Sequence, residues 1–162
     1  MNTNKFQKLI NNKFLFRLYL LKKLPLAFIA GLRVKELSNE QAIVTVKYGW
    51  LTQNPFQSIY FACLSMAAEM STGLLALNAI YGSQPPVSML IIKNQASYHK
   101  KAVGTITFVC SDGKLLNDAI NKAKISGESM QVDASTIGTD QEGVIVAEFT
   151  FTWSLKVKNK TY

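Results

Sequence analysis

From Asn54 to Ile80 the chain reads NPFQSIYFACLSMAAEMSTGLLALNAI, with no proline after Pro55 until Pro85. Ser58 is placed to cap a helix over this stretch. Apolar residues fall on every face of that helix: Ile59, Phe61, Leu64, Met66, Met70, Leu74, Leu75, Leu77 and Ile80. A surface helix has one apolar stripe, so a helix apolar all round must be covered by other structure. Its small residues, among them Ala67, Ala68, Ser71, Gly73 and Ala76, let other backbone approach closely. Glu69 interrupts the pattern as the only charged side chain between Lys47 and Lys93. A carboxylate in such surroundings must be paired, neutralised or used.

What covers the helix has to come from its flanks, and these read as strands. Phe28–Leu37 and Gln41–Tyr48 flank a Ser38-Asn39-Glu40 hairpin loop. Beyond a break at Gly82–Pro86, Val87–Tyr98 and Val103–Ser111 read as a second antiparallel pair. Gly113–Ile125 suits a short helix or a kinked excursion, and Met130–Ile137 and Gly143–Val157 read as long strands around a Gly138–Gly143 turn. An apolar helix wrapped by one long antiparallel sheet is an α+β solution. With no repeat or linker, residues 1–162 are expected to form one domain.

The net charge of +8 is unevenly placed. Residues 1–35 hold Lys5, Lys8, Lys13, Arg17, Lys22, Lys23, Arg33 and Lys35 and no acid, whereas residues 36–155 hold seven lysines and ten acids. Two arginines in the whole chain argue against a nucleic-acid partner. Lys5–Leu24, stopped by Pro25, reads as one amphipathic helix within a basic N-terminal segment, residues 1–25. Its apolar row, including Phe6, Leu9, Ile10 and Phe14, suits packing on the domain. Its cations also suit a membrane surface or an acyl carrier protein. It is too interrupted by charge for a secretion signal or a membrane span. Cys63 and Cys110 have no metal or redox spacing, which points to reduced core thiols and a cytoplasmic protein.

The order of elements, and Asn54–Gly73 in particular, resembles the hotdog-fold acyl-thioester hydrolases, near the small bacterial phenylacetate-pathway thioesterases. In that family a loop Asn or Gln precedes the helix, a His-Gly-Gly-like entry opens it, and an Asp or Glu follows about two turns on. Asn54 matches the loop amide and Glu69 the acid, while Tyr60-Phe61-Ala62 stands where His-Gly-Gly would be. The resemblance implies a hotdog fold, a long antiparallel sheet around a central buried helix, in a homodimer or homotetramer. It implies acyl thioesters of coenzyme A or acyl carrier protein as substrates, with no cofactor beyond the coenzyme A of the substrate.

Attack on a thioester builds negative charge on the carbonyl oxygen, which free N–H groups near Ile59–Phe61 can stabilise. Glu69 lies roughly 12–14 Å along the helix from that end, too far for one small group to bridge. The resemblance implies that opposite subunits supply the two halves. Glu69 then acts as general base or nucleophile, oriented by Thr72 or Ser65, and Asn54 holds water or carbonyl. Tyr60 and Phe61 form the entry, Gly73 faces substrate, and Lys93, Lys100 and Lys101 suit the phosphates of coenzyme A. Structural readings stand beside these: Glu69 as a buried acid bonded to a facing strand, Asn54 as a turn former, the lysines as a solvated face. Because Tyr60-Phe61-Ala62 lacks histidine and glycine, a non-catalytic acyl-thioester binder is the other reading. A hotdog dehydratase needs a His–acid pair, and His99 lies outside the helix motif.

Overall fold

The computed structural model describes residues 4–158. Three short helices open the chain: α1 (Lys5–Asn11), α2 (Lys13–Lys23) and α3 (Pro25–Ile29). Strands β1 (Arg33–Leu37) and β2 (Ala42–Lys47) follow, then the long helix α4 (Phe61–Ile80). Strands β3 (Val87–Tyr98) and β4 (Thr105–Cys110), helix α5 (Gly113–Ser126), and strands β5 (Met130–Thr139) and β6 (Ile145–Val157) complete it. All strand pairs are antiparallel, in one sheet of order β1-β2-β4-β5-β6-β3. The α+β hotdog architecture expected from the sequence is the one observed.

The sheet closes around α4 because three of its strands alternate cleanly. In β4, β5 and β6 every second side chain is buried, including Phe108, Ala134, Phe149, Phe151 and Trp153. That period of two is what one covered face requires. Each large side chain taken from water contributes about 1.5–3 kcal/mol. Twelve of the 20 residues of α4 are buried, and only Phe61 at its start is exposed. The helix is long and apolar enough to cross a membrane, but the sheet and α5 take up its faces instead.

Four expectations fail, each for a local reason. The single helix over Lys5–Leu24 is two, because Asn12 turns its side chain to accept from the N–H groups of Phe14 and Leu15 and so caps α2. Asn11 meanwhile donates to the carbonyl of Leu37 and accepts from its N–H, tying α1 to β1. The strand expected from Phe28 begins only at Arg33, since Pro25 starts α3 at a first-turn position that suits proline. Ser58 does not cap α4: its hydroxyl donates to Asn54 Oδ1, and Tyr60 is the capping residue, with no side-chain bond. Finally, β3 does not pair with β4. β3 runs along β6, while β4 lies between β2 and β5, so α4 and β3 together carry the chain to the far edge of the sheet.

Candidate active site

Two separate hollows lie along α4. The first is an open cleft of about 490 Å³ at the helix start, lined by Asn54, Tyr60, Phe61, His99, Lys100 and Lys101 among others. The loop leading into it is held by Asn54, whose Oδ1 accepts from Phe56 N–H, Ser58 N–H and the Ser58 hydroxyl. The N–H of Tyr60 donates to the Thr52 carbonyl at 2.7 Å, and that of Ile59 to the Ala102 carbonyl at 2.8 Å. Those two groups are therefore occupied. The next two, on Phe61 and Ala62, have no partner among the described residues, as helix geometry leaves them. They are the helix's positive end, with the exposed Phe61 ring stacked edge-on to Tyr60 beside them.

The cleft's cations are partly engaged. Lys100 Nζ lies 2.8 Å from Asp140 Oδ2, a contact that holds the lysine above its usual range and the aspartate below its own. Lys101 Nζ donates to the Phe56 carbonyl at 3.3 Å. His99 Nε2 is 2.8 Å from Glu148 Oε2 on the solvent side. Lys93 stands elsewhere, on β3 opposite Thr152, and lines neither hollow.

The second hollow is a pocket of about 200 Å³ around Glu69, walled by Phe16, Tyr19, Met70, Leu74, Met89 and Trp153 among others. Among the described residues Glu69 brings the only charge into that apolar lining. Burial pushes its pKa above the ordinary carboxyl value, and no ion pair reaches it among the described residues. Gly73, one turn on, makes the room: a Cβ there would stand 3.0 Å from Glu69 Oε1 and 3.4 Å from the Trp153 ring. Thr72 makes no hydrogen bond to the carboxylate among the described residues. Its hydroxyl donates to the backbone carbonyl of Glu69 and accepts from Trp153 Nε1–H at 3.2 Å. Thr72 therefore positions Trp153, the pocket's back wall.

Asn54, Tyr60, Phe61, Lys100 and Lys101 thus share the cleft, Glu69 and Gly73 share the pocket, and no residue lines both. Sequence reasoning missed Trp153, Phe16 and Tyr19. Trp153 carries the alternation of the last strand and Phe16 a buried i, i+4 partner in Leu20, but neither signal says what the side chain faces. Among the described residues no cluster of His, Cys, Asp and Glu could hold a metal ion. Both cysteines are free and buried, and burial pushes the Cys110 thiol up to about 12.

The fold is shared with solved structures of low sequence identity. A Pseudomonas aeruginosa protein of unknown function, PA5026, named a probable thioesterase, is 18% identical with a TM-score of 0.74 over 98% of this chain and 97% of its own. OLEI01261 from Chlorobaculum tepidum, of unknown function, is 14% identical with a TM-score of 0.74 over 88% and 92%. Thioesterase HI1161 from Haemophilus influenzae is 10% identical with a TM-score of 0.61 over 90% and 92%. No curated protein matches the chain. A family model described as a domain of unknown function, DUF4442, matches residues 12–155, and the chain belongs to that family.

Proposed function

We propose that this protein hydrolyses acyl thioesters of coenzyme A or acyl carrier protein, at a site closed by two copies of the chain. The observation that carries this reading is Glu69, a carboxylate with no ion pair among the described residues, in an otherwise apolar pocket sized for an acyl segment. Thioesterase-named structures of the same fold support the reaction class. Glu69 takes a proton from water, and the water oxygen attacks the thioester carbonyl. The carbonyl oxygen gathers the displaced electron pair and is held by the Phe61 and Ala62 N–H groups of the other copy. The tetrahedral adduct collapses, the C–S bond breaks, and the leaving thiolate takes the proton from Glu69. Direct attack by the carboxylate, through a mixed anhydride, uses the same placement.

Two copies are required because Glu69 stands eight residues along α4 from Phe61, about 12 Å at helical rise. β3 offers the meeting edge. It is 12 residues long, pairs only with β6 among the described residues, and exposes eight of its residues, with Leu90 and Ile92 among them. An open edge of that length is a template for another strand, and a second β3 running antiparallel would satisfy it with two-fold symmetry. Lys100 and Lys101, at the mouth of the cleft, suit the phosphates of a coenzyme A handle.

One observation favours a second reading, a non-catalytic acyl-thioester binder: the Phe61 side chain stands where a bare backbone would admit a carbonyl. A screen over acyl-coenzyme A chain lengths with wild type and Glu69→Gln separates the two. Hydrolysis by wild type and its loss in Glu69→Gln is the expected result. Hydrolysis by Glu69→Gln at the wild-type rate removes Glu69 from the chemistry. Acyl binding by both forms without turnover makes the protein a binder.

A further inference from the structure

Helix α2 has two apolar faces, and only one is covered among the described residues. Phe16 and Leu20 point inward and are buried. Phe14, Leu18 and Leu21 point outward; α3 adds Leu26 and Ile29, and the loop after β2 adds Trp50. The exposure is large, 71% for Phe14 and Leu26 and 82% for Trp50. Phe14, Ile29 and Trp50 are joined into one surface by two grooves that share residues. Ile29 and Trp50 border a groove with Arg33, Lys35 and Lys47, and Phe14 borders a second groove with Lys13 and the same Arg33 and Lys35. Apolar side chains and exposed cations are interleaved across it, and no acid occurs before Glu36.

Charge decides what can cover such a face. A second copy packed on it by two-fold symmetry would set cations against cations, which opposes association. Nucleic acid would meet the cations but leave the leucines in water. An anionic bilayer answers both parts: lysine and arginine at the headgroup phosphates, and Phe, Leu and Trp in the boundary with the acyl chains. We propose that the outer face of α2 and α3, with Trp50, docks this protein on anionic membrane surface. The inner side of α2 supplies Phe16 and Tyr19 to the Glu69 pocket, so docking brings that pocket within one helix thickness of the lipid. Vesicle binding needs no substrate, so the docking stands or falls separately from the hydrolase reading.

The test is co-sedimentation of the full chain with vesicles of phosphatidylcholine alone and of phosphatidylcholine mixed with phosphatidylglycerol. Wild type is expected to pellet with the mixed vesicles only, and less as salt rises. Phe14→Ser/Leu18→Ser/Leu26→Ser and, separately, Lys13→Glu/Lys22→Glu/Lys23→Glu should each weaken binding by at least about tenfold. Should either triple variant lose its circular dichroism spectrum, Trp50 gives an independent reading in the native fold. Its emission should shift to the blue on adding mixed vesicles, and Trp50→Phe should abolish that shift. Wild type left in the supernatant with mixed vesicles overturns the proposal, as does unaltered binding by both folded variants. Light scattering that shows the apolar variant changing oligomeric state, while wild type ignores vesicles, assigns the face to a second copy instead.

Discussion

The cleft at the start of α4 holds His99, Lys100, Lys101 and two N–H groups with no partner among the described residues, while the pocket two turns along the same helix holds one carboxylate among apolar walls. The cleft can hold charge, and it is built largely from loop residues that bond to one another. The pocket can hold an acyl chain, and it is built from helix and strand side chains of the core. The difference teaches that one protomer keeps an anion-holding surface apart from a largely desolvated carboxylate, the two elements that the proposed hydrolysis needs together. A rigid helix fixes that separation, which is why the proposed site is closed by a second copy.

The sharpest way to break this comparison is to remove the pocket's charge. Glu69→Gln should lower turnover of acyl-coenzyme A by about 100-fold or more while the protein folds normally. In wild type the rate should rise with pH through the raised pKa of Glu69 and level off above it, since a base must be ionised. The same shift governs stability. Burial favours the protonated carboxyl, so wild type is at its most stable with respect to this group below the unfolded value of 4.5. It loses that contribution as pH rises through the higher folded pKa. Urea unfolding over a pH series should therefore show Glu69→Gln gaining on wild type as pH rises; parallel curves would mean the carboxylate is solvated.

Next in size is the junction between copies. Leu90→Lys with Ile92→Lys places like charges on the open edge of β3, which costs several kcal/mol if that edge meets itself. Light scattering should show dissociation, and hydrolysis should fall with it. A dissociated form that keeps full activity would show that one chain suffices.

A smaller, structural effect tests the pocket wall. Thr72→Val leaves the buried Nε1–H of Trp153 without its acceptor and should destabilise the protein by about 1–3 kcal/mol, read by urea unfolding. An unchanged midpoint would mean that Trp153 finds another partner. The smallest effect belongs to the cleft. Lys100→Ala with Lys101→Ala should raise KM for acyl-coenzyme A a few-fold, with kcat and the KM for a short thioester lacking phosphates unchanged. Equal effects on both substrates would take the lysines out of handle recognition.

Much of this was legible in residues whose neighbours along the chain decide their fate. The all-round apolarity of Phe61–Ile80 required a covered helix, and Glu69 stood out within it. The alternation of β5 and β6, and the turn between them, was equally local. Asn12 was a legible cap that the apolar row across it concealed. Long-range pairing was not legible. The adjacency of β3 and β4 in sequence suggested a hairpin, but β3 pairs with β6 because sheet order follows packing around α4.

The sequence by itself determined that a buried helix carries one carboxylate and that the cations gather in the first 35 residues, because composition and periodicity are properties of the chain alone. Only the tertiary structure decided what that carboxylate faces. Trp153 lies 84 residues after Glu69 in the sequence and Phe16 lies 53 before it, and nothing local to any of the three encodes their meeting. It arises because the sheet must curl around α4 to bury its apolar faces, and that closure alone brings the last strand and the second helix to one pocket around that side chain.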